Sequence, residues 1–500
     1  MSKALIAAVF AAAAVLASSA TAQEAAAPAP APAAENWAAL LEADARAVHR
    51  LISDHHPGPH DRFNPEFRAV LDSGLALALE RSKTATSKAH YWWALRQYVA
   101  SFDDGHTALM GTERLQGFPL WWPGFYTYET NGRHMVAIRG TETAPPNGAV
   151  LAECDGRDAE TLARENVGRF RGLWFLTSQR AGFADQIFRA PENPYVVRPN
   201  RCTFVVDGAR TTYDLSWSRF DEAAIAAVRD QLEALPKRGH DPIGLRPIDG
   251  GWWITASAFP SDPAEADGKA LTALIAEVKA KSAELRKAGR IVFDLRGNNG
   301  GSSHWSREIA QAIWGEAYVD AVFSPLTSKS YVEWRVSSDT IAHLEQVADR
   351  FASVDKDMEQ WARSAAKGMR EAQARGEPLW RQPSAKTSGL LGKSRKPGRS
   401  PVAGKVYLLT DSGCGSACLD AADLWLALGA VQVGQETFAD SQYMEIRDVP
   451  LPSGYGVFRV PTKVYRDRPR GPNQSLKPRH PYEGNMADTK ALEAWIASLP

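Results

Sequence analysis

The feature that most constrains this chain is a regular alternation of strand-like and helix-like segments between Gly251 and Gly434. Runs of aliphatic and β-branched residues predict strands, and apolar residues at three- and four-residue intervals predict helices. Such alternation is typical of an α/β core with a largely parallel sheet. The predicted elements are strand Trp252 to Ala256, helix Ala270 to Lys287, strand Ile291 to Leu295, helix Ser306 to Trp314, strand Val406 to Thr410, helix Ser416 to Leu428 and strand Val431 to Gly434.

The rest of the chain predicts further domains, because 500 residues are too many for a single hydrophobic core. Helical spacing of apolar residues predicts a helical cap over 37–110, and short β-like runs between turn signals predict a small β-rich domain over 111–245. The α/β core then occupies 246–500, with an insertion at about 318–403. Within the insertion we expect one or two exposed helices from Asp339 to Ala374 and a basic loop from Pro383 to Gly404.

The N-terminus has the pattern of a secretory signal peptide over 1–22, with Lys3, an apolar run through Leu16, and Ala20-Thr21-Ala22 before the expected cleavage site. The apolar run is shorter than the roughly 20 residues of a bilayer-spanning helix, which argues against a retained anchor. An Ala/Pro linker over 23–36 follows. We therefore expect an exported protein of the bacterial periplasm, with no membrane span in its mature form.

Charge and cysteine content limit the partners that this chain can have. Its 58 basic and 58 acidic residues cancel, which argues against nucleic-acid binding through a strongly positive surface. The four cysteines permit two bridges in an oxidising compartment, Cys154 with Cys202 and Cys414 with Cys418. A metal site is the alternative, but the sequence contains neither a paired Cys-x-x-Cys nor a His-Glu-x-x-His motif. We expect no metal and no cofactor.

Ser416 is the main candidate for chemistry. A predicted strand runs into the small-residue turn Asp411 to Gly415, and Ser416 then opens a predicted helix. This arrangement exposes the hydroxyl above the sheet edge and directs the free N–H groups of the helix N-terminus at the group under attack. A helix-capping serine has the same local pattern and is very common, so the segment alone leaves both interpretations open.

A second segment, Asp294 to Gly301, reads Asp-Leu-Arg-Gly-Asn-Asn-Gly-Gly and follows a predicted buried strand. Its glycines allow close approach of the backbone to another group. A phosphate-binding loop is the alternative, but the Gly-Lys-Ser/Thr ending of a P-loop and the spacing of a dinucleotide fingerprint are missing.

This segment closely resembles the Asp-Leu-Arg-x-Asn-x-Gly-Gly signature of the C-terminal processing, or tail-specific, peptidases and their tricorn-like relatives. Gly415-Ser416-Ala417 is similar to the nucleophile segment of that family, and Gly148 to Gly156 looks like part of its PDZ-like module. The resemblance extends from Tyr91 to the C-terminus, the insertion excepted. It implies a crotonase/ClpP-like α/β core with a PDZ-like β domain, and a serine peptidase that hydrolyses peptide bonds of a peptide or protein substrate.

The chain departs from the family at the catalytic base. Many tail-specific peptidases use a lysine on the loop after the next strand, whereas here 434–441 contains no lysine and has Asp440 at about that place. The segment Asp104-Gly105-His106-Thr107 resembles the Asp-x-His-Thr segment of the tricorn-like branch, which implies His106 as base. Histidine suits this task because its ordinary pKa of roughly 6.5 lets it exchange a proton near neutrality. Taken alone, the segment favours a surface turn or a helix cap.

The third catalytic residue is also changed. Tricorn-like members have a glutamate near the C-terminus, but Pro472 to His480 contains no acid. Gln474 is left to orient His106 by a hydrogen bond, and Glu483, Glu445 and Asp440 are acidic candidates. Backbone N–H groups of Gly300, Gly301 and Ala417 are expected to form the oxyanion hole. Substrate contacts are expected from Asp294, Arg296, Asn298, His304 and Asp440.

Two further interpretations depend on less specific patterns. His55, His56 and His60 lie in a Pro/Gly-containing segment that predicts a surface turn in preference to a metal site. The missing lysine and missing C-terminal acid also favour an alternative function, a peptide-binding homologue without catalysis. A serine esterase on the same fold is the other alternative. In the peptidase interpretation, the β domain receives an extended peptide along a sheet edge.

Overall fold

A computed structural model describes residues 35–115, 117–130, 132–235, 239–353, 356–383 and 397–500. The predicted signal peptide, nearly all of the linker and much of the basic loop from Pro383 to Gly404 lie outside the described residues. Residues Trp37–Pro500 form one compact unit. In the described ranges, no helix combines the length and apolar character needed to cross a membrane.

The helices and strands of the described residues are numbered here in chain order. The α-helices are α1 (Trp37–His55), α2 (Phe67–Ser82), α3 (Lys88–Ala100), α4 (Ala159–Ala163), α5 (Arg169–Arg171), α6 (Thr177–Phe183), α7 (Glu222–Ala227), α8 (Arg229–Ala234), α9 (Ala266–Ala280), α10 (Ser282–Lys287), α11 (His304–Trp314), α12 (Glu316–Thr327), α13 (Ser338–Phe351), α14 (Lys356–Ala374), α15 (Ala417–Ala427) and α16 (Thr489–Ser498). The strands are β1 (Ala108–Gly111), β2 (Leu120–Trp122), β3 (Phe125–Thr130), β4 (Arg133–Arg139), β5 (Val150–Cys154), β6 (Arg157–Asp158), β7 (Ala190–Pro191), β8 (Arg201–Val206), β9 (Ala209–Asp214), β10 (Ser218–Arg219), β11 (Gly244–Ile248), β12 (Gly251–Thr255), β13 (Arg290–Asp294), β14 (Tyr331–Arg335), β15 (Leu379–Arg381), β16 (Lys405–Thr410), β17 (Val431–Gly434), β18 (Tyr443–Pro450), β19 (Gly456–Arg466) and β20 (His480–Pro481).

The predicted α/β core is present as a sheet in the order β11-β12-β13-β16-β17-β20. Strands β12, β13, β16, β17 and β20 run parallel, and only β11 is antiparallel to its neighbour β12. Helices α9, α11 and α15 contribute to the buried apolar cluster on one face, where the Phe293 and Trp425 rings stack at 3.8 Å. The single helix predicted from Ala270 to Lys287 is divided into α9 and α10, because Lys281 leaves helical geometry at φ −97° and ψ 9°.

The region between the N-terminal helices and this core is β-rich, as expected. Strands β3, β4, β5, β8 and β9 form an antiparallel sheet, to which β6 adds by pairing with β5. The predicted bridge between Cys154 and Cys202 is formed here, between directly paired positions of β5 and β8. The short helices α4, α5 and α6 were not predicted. Asp158 begins the first of them by accepting a hydrogen bond from the Thr161 N–H at 2.9 Å.

A further sheet joins distant parts of the chain and was not predicted. Strand β1 follows the N-terminal helices and pairs with β19, which also pairs with β14 and β18. The insertion contributes β14 and β15 to this sheet. Its helices α13 and α14 are not simply exposed, contrary to prediction. Leu344 and Met369 are buried against Trp334 of β14, so each helix presents one apolar face to the sheet.

The turn after β13 is fixed by a buried ion pair. Asp294 and Arg296 have no exposed surface, and Arg296 Nη2 lies 2.6 Å from Asp294 Oδ2. Arg296 Nη1 also donates to the Met486 carbonyl at 2.6 Å, and Arg296 Nη2 donates to Thr489 Oγ1 at 3.0 Å. These bonds connect the glycine turn to the start of α16.

We expect R296M to destabilise the protein by about 3 to 5 kcal/mol, because it leaves the Asp294 carboxylate buried without a countercharge. The free energy of unfolding in a urea titration measures this effect. R201A is the matched control, since Arg201 and Asp214 form an ion pair whose side chains are 67% and 83% exposed. Its removal is expected to change stability by about 1 kcal/mol or less. Equal losses in the two variants would contradict the anchoring role of Arg296.

Candidate active site

Three loops of the core sheet meet at one edge because their strands are parallel neighbours. The loops after β13, β16 and β17 carry Gly300, Ser416 and Asp440, respectively. Carboxyl ends of adjacent parallel strands lie at the same edge of a sheet, which is the usual place for ligand binding in open α/β folds. The topology therefore brings together residues that are more than a hundred positions apart in the chain.

Ser416 directly precedes α15 and has an unusual backbone conformation, with φ 55° and ψ −126°. A non-glycine residue at such positive φ is uncommon and persists only where its surroundings impose it. The Ser416 side chain makes no capping hydrogen bond to α15. The helix-cap interpretation of this serine is therefore wrong for the structure, and the hydroxyl is left for other partners.

The glycine turn lies directly against Ser416. A Cβ atom at Gly300 would fall 2.5 Å from Ser416 Cβ and 2.7 Å from the Gly415 carbonyl oxygen. Gly300 also has φ +103°, so both space and conformation exclude a side chain. Its N–H donates to Asn298 Oδ1 at 2.9 Å and is not free for an oxyanion, contrary to prediction. The oxyanion roles of Gly301 and Ala417 stay predictions.

Three residues of the signature segment support this turn from inside the protein. Asp294 and Arg296 form the buried pair described above, and Asn298 is buried with its Nδ2 donating to the Ala256 carbonyl at 2.7 Å. None of the three is positioned to touch a substrate, so their predicted substrate contacts are corrected to a role in shaping the turn. His304 is exposed, with Nδ1 2.7 Å from Ser302 Oγ, and its substrate contact stays a prediction.

Asp440 connects directly to the nucleophile segment. Its Oδ1 accepts the Ser416 N–H at 2.9 Å, and its side chain is almost fully buried. Arg470 Nη2 lies 3.9 Å from Asp440 Oδ2. Burial raises the pKa of Asp440, while the nearby positive charges of His106 and Arg470 act in the opposite direction. Asp440 Oδ2, Arg470 Nη2 and His106 Nδ1 are buried atoms without hydrogen-bond partners in the described part of the protein.

His106 is held near Asp440 by a second carboxylate. Asp104 Oδ1 accepts the His106 N–H at 2.9 Å and the Ser441 hydroxyl at 2.7 Å. Ser441 is the residue after Asp440, so one carboxylate positions both His106 and Asp440. Burial opposes ionisation of Asp104, but the neighbouring imidazoles of His56 and His106 and the hydrogen bond from Thr107 bring its pKa below the ordinary value.

The aromatic ring of Phe438 fills the space between the two loops. A Cβ atom at Gly105 would lie 2.9 Å from Phe438 Cε1, and one at Gly415 would lie 3.4 Å from Phe438 Cδ1. The residues before His106 and before Ser416 therefore contact the same side chain. This contact places the histidine loop beside the serine loop.

His56 is a member of this network that sequence reasoning missed. It has no exposed surface, and His55 is also buried, so the predicted surface turn is wrong for both. His56 Nδ1 accepts the Gly58 N–H at 2.8 Å, which leaves the proton on Nε2, 3.4 Å from Thr107 Oγ1 and 3.8 Å from Asp104 Oδ2. Burial lowers the pKa of His56, so the imidazole is neutral. No local sequence pattern links His56 to Asp104.

The other candidates for the third catalytic residue have different partners. Gln474 Oε1 accepts the Gly471 N–H at 2.9 Å within its own loop, and Glu483 is exposed. Glu445 Oε2 accepts a hydrogen bond from Lys463 at 3.0 Å, and Lys463 lowers the pKa of Glu445 to about 2. No contact among the described residues joins any of these three to His106. The structure brings only Asp440, of the four candidates, into this network.

The second predicted disulfide also lies in the site. Cys414 and Cys418 are bonded, and both are fully buried beneath the turn that carries Ser416. The described residues contain no group of three or more histidine, cysteine or carboxylate side chains suited to a metal.

Comparison with known proteins agrees with this arrangement. Residues 264–475 match the family model described as peptidase family S41, and this segment contains both the glycine turn and Ser416. No curated protein matches the chain in sequence.

Solved structures of mature CPAF show a similar fold at low sequence identity. The crystal structure of mature CPAF has a TM-score of 0.54 at 13% identity, with 93% of this chain and 97% of that chain covered. Mature CPAF complexed with lactacystin gives 0.53 at 13% identity, with coverage of 93% and 99%. The photosystem II D1 C-terminal processing protease covers 92% and 97% at 12% identity, with a TM-score of 0.34.

The mixed α/β fold, the strained serine at a helix N-terminus and the matched segment together define a serine-type peptidase. Residues 264–475 carry the match to peptidase family S41, and the two signature segments of this chain resemble those of its C-terminal processing members.

The buried carboxylate of Asp440 predicts a pH-dependent stability. Because its folded pKa is raised above the ordinary value of 3.8, the native state holds the proton more tightly than the unfolded state. The charged form is therefore destabilising at neutral pH, and this penalty disappears as pH falls through the folded pKa toward 3.8.

We expect D440N to have a higher Tm than the wild type at pH 7 and a difference that shrinks as the pH is lowered. The asparagine Oδ1 can still accept the Ser416 N–H, so the loop is retained. Differential scanning fluorimetry of both proteins, from pH 7 down to the ordinary pKa of 3.8, measures the difference in Tm. A Tm difference that stays constant with pH would argue against an ionised Asp440 in the neutral protein.

Proposed function

We propose that this protein is an exported peptidase in which Ser416 is the nucleophile, His106 is the general base and Asp440 orients the histidine. The observation that carries the proposal is the position of the Asp440 carboxylate. Its Oδ1 binds the Ser416 N–H, and its unpartnered Oδ2 lies within the electrostatic influence of His106. The Asp440 side chain thus binds the backbone of the proposed nucleophile and lies near the proposed base.

In this mechanism, His106 Nδ1 donates a hydrogen bond to Asp440 Oδ2 and keeps its proton, since both are buried atoms without a hydrogen-bond partner among the described residues. His106 Nε2 then accepts the Ser416 proton as the hydroxyl oxygen attacks the peptide carbonyl, and it returns the proton to the leaving amine. A water molecule, activated by the same imidazole, hydrolyses the acyl-enzyme. An ionised Asp440 stabilises the imidazolium that forms at each step.

The oxyanion of each tetrahedral intermediate is assigned to backbone N–H groups of Ala417 and Gly301. Ala417 is the first residue of α15, and the N–H groups of a first helical turn have no partner within the helix. Fixed donors of this kind contribute roughly 3 to 4 kcal/mol each to the transition state in other hydrolases.

The finer description of the fold is part of the same proposal. We assign the core sheet to a crotonase/ClpP-like domain and α1 to α3 to a helical cap. The antiparallel sheet of β3, β4, β5, β6, β8 and β9 is assigned to a PDZ-like module that receives an extended peptide. The parallel order of the core strands and the sheet around the bridge between Cys154 and Cys202 support these assignments.

Export to the bacterial periplasm is supported by the N-terminal signal pattern and by the two buried disulfides, which persist in oxidising compartments. A histidine base supports the assignment of the chain to the tricorn-like branch of the family that its segments resemble.

A fluorophosphonate probe tests the catalytic assignments directly. S416A is expected to abolish labelling, and H106A to slow it by about 10²- to 10⁴-fold, the usual contribution of a general base. D440N is expected to lower the rate by a similar factor, because the imidazole loses its orienting charge. Q474A and E483Q are matched controls, and both should label at the wild-type rate.

The rates at which the variants hydrolyse a pooled quenched-fluorescent peptide library should rank in the same order as their labelling rates. Labelling that persists in S416A would remove Ser416 as the nucleophile. A large loss in E483Q or Q474A, with D440N unaffected, would transfer the orienting role away from Asp440. Turnover of esters without turnover of peptides would instead establish the esterase alternative.

A further inference from the structure

The five-residue segment that carries Ser416 is closed by a covalent bond. Cys414 and Cys418 stand two positions before and two positions after the serine, and their side chains are joined. The ring therefore includes Gly415, Ser416 and Ala417. Both sulfur-bearing side chains belong to the apolar cluster beneath the core sheet, so the bridge lies on the side facing the protein interior.

The backbone of this ring is held at its C-terminal end by the first turn of the helix, where the Cys418 N–H donates to the Gly415 carbonyl at 3.0 Å, but its N-terminal end is flexible in sequence. Gly413 and Gly415 flank Cys414, and glycine is the residue with the greatest conformational freedom. Hydrogen bonds from Asp411 fix the early part of the turn, with Oδ1 accepting the Gly413 N–H and Oδ2 the Gly297 N–H, both at 2.9 Å. Beyond Gly413, the Ser416 side chain adds no capping bond.

Ser416 nevertheless has a conformation that the backbone does not adopt without constraint. Its φ of 55° and ψ of −126° lie in a sparsely populated region, and such a conformation persists only when the surroundings over-determine it. Besides the helix start, where the Leu419 N–H donates to the Ser416 carbonyl at 2.9 Å, two restraints act on this point, the Asp440 carboxylate on the Ser416 N–H and the covalent ring around the residue. The carboxylate fixes one atom, whereas the ring limits the backbone on both sides.

We propose that the Cys414–Cys418 disulfide is a positioning device for catalysis, which holds the Ser416 hydroxyl and the Ala417 N–H in register with each other and with His106. This inference rests on the proposed function of Ser416. Without the bridge, the glycine-flanked turn relaxes toward ordinary backbone angles and moves the hydroxyl away from its base. The bridge then affects the chemical step more than it affects binding.

The test compares two disulfides of the same protein. C414A/C418A removes the bridge around Ser416, and C154A/C202A removes the bridge between β5 and β8, which is the matched control. The fluorophosphonate reaction is measured as kinact and KI separately, together with Tm. C414A/C418A is expected to lower kinact by about a hundredfold with little change in KI, since a displacement near 1 Å has that effect on rate. C154A/C202A should retain the wild-type kinact, whatever its Tm.

Single variants distinguish the effect of losing the disulfide bond from the effect of losing the two cysteine side chains. If the bond is what matters, C414A and C418A should each lower kinact as much as the double variant does. Wild-type kinact in C414A/C418A below its Tm would overturn the proposal and assign the bridge to stability alone. Should the alanine pair fail to fold, C414V/C418A restores buried volume and is measured in its place. Failure of the proposed function is distinct, because S416A would then still be labelled.

Discussion

The structure depends on the buried carboxylate of Asp104, which joins the N-terminal part of the chain to the core. Asp104 receives hydrogen bonds from the His106 N–H, from Thr107 Oγ1 at 2.6 Å and from the Ser441 hydroxyl. The first two belong to the loop after α3, and the third belongs to the loop after β17. A buried carboxylate is stable only when its oxygens are satisfied in this way. Asp104 thus joins the loop of His106 to the loop of Asp440.

The site combines well-satisfied and poorly satisfied buried charges. The pair of Asp294 and Arg296 has a full set of partners and shapes the turn rigidly, whereas Asp440 Oδ2 and Arg470 Nη2 keep unused hydrogen-bonding capacity. Unpaired buried groups reduce stability, and natural proteins retain them mainly at functional sites. This contrast distinguishes Asp294 and Arg296, which shape the edge of the sheet, from Asp440 and Arg470, which lie at the proposed catalytic site.

Sequence reasoning predicted the parts of the molecule whose signals are local. The strand and helix alternation, the two disulfide pairs and the position of Ser416 after β16 all follow from short patterns. Pairing between β1 and β19 has no such signal, because each strand is specified by a partner far along the chain. The prediction for His56 was wrong for the same reason. Its Pro/Gly surroundings resemble a surface turn, and it is buried only by tertiary contact with Phe67 and Tyr443. The predicted substrate roles of Asp294 and Arg296 are wrong because both side chains are fully buried, and burial has no local sequence signal here.

The pairing of β1 with β19 has a consequence for biosynthesis. Ala108 lies opposite Arg459, and Gly111 lies opposite Gly456, so the loop containing His106 is fixed only after almost the whole polypeptide has been made. When a chain emerges from the ribosome or crosses a membrane with its N-terminus first, His106 appears long before β19. The strand β1 beside His106 therefore has no partner for most of that time. In the proposed mechanism, the nascent chain therefore lacks a positioned base until β19 has been made and has paired with β1.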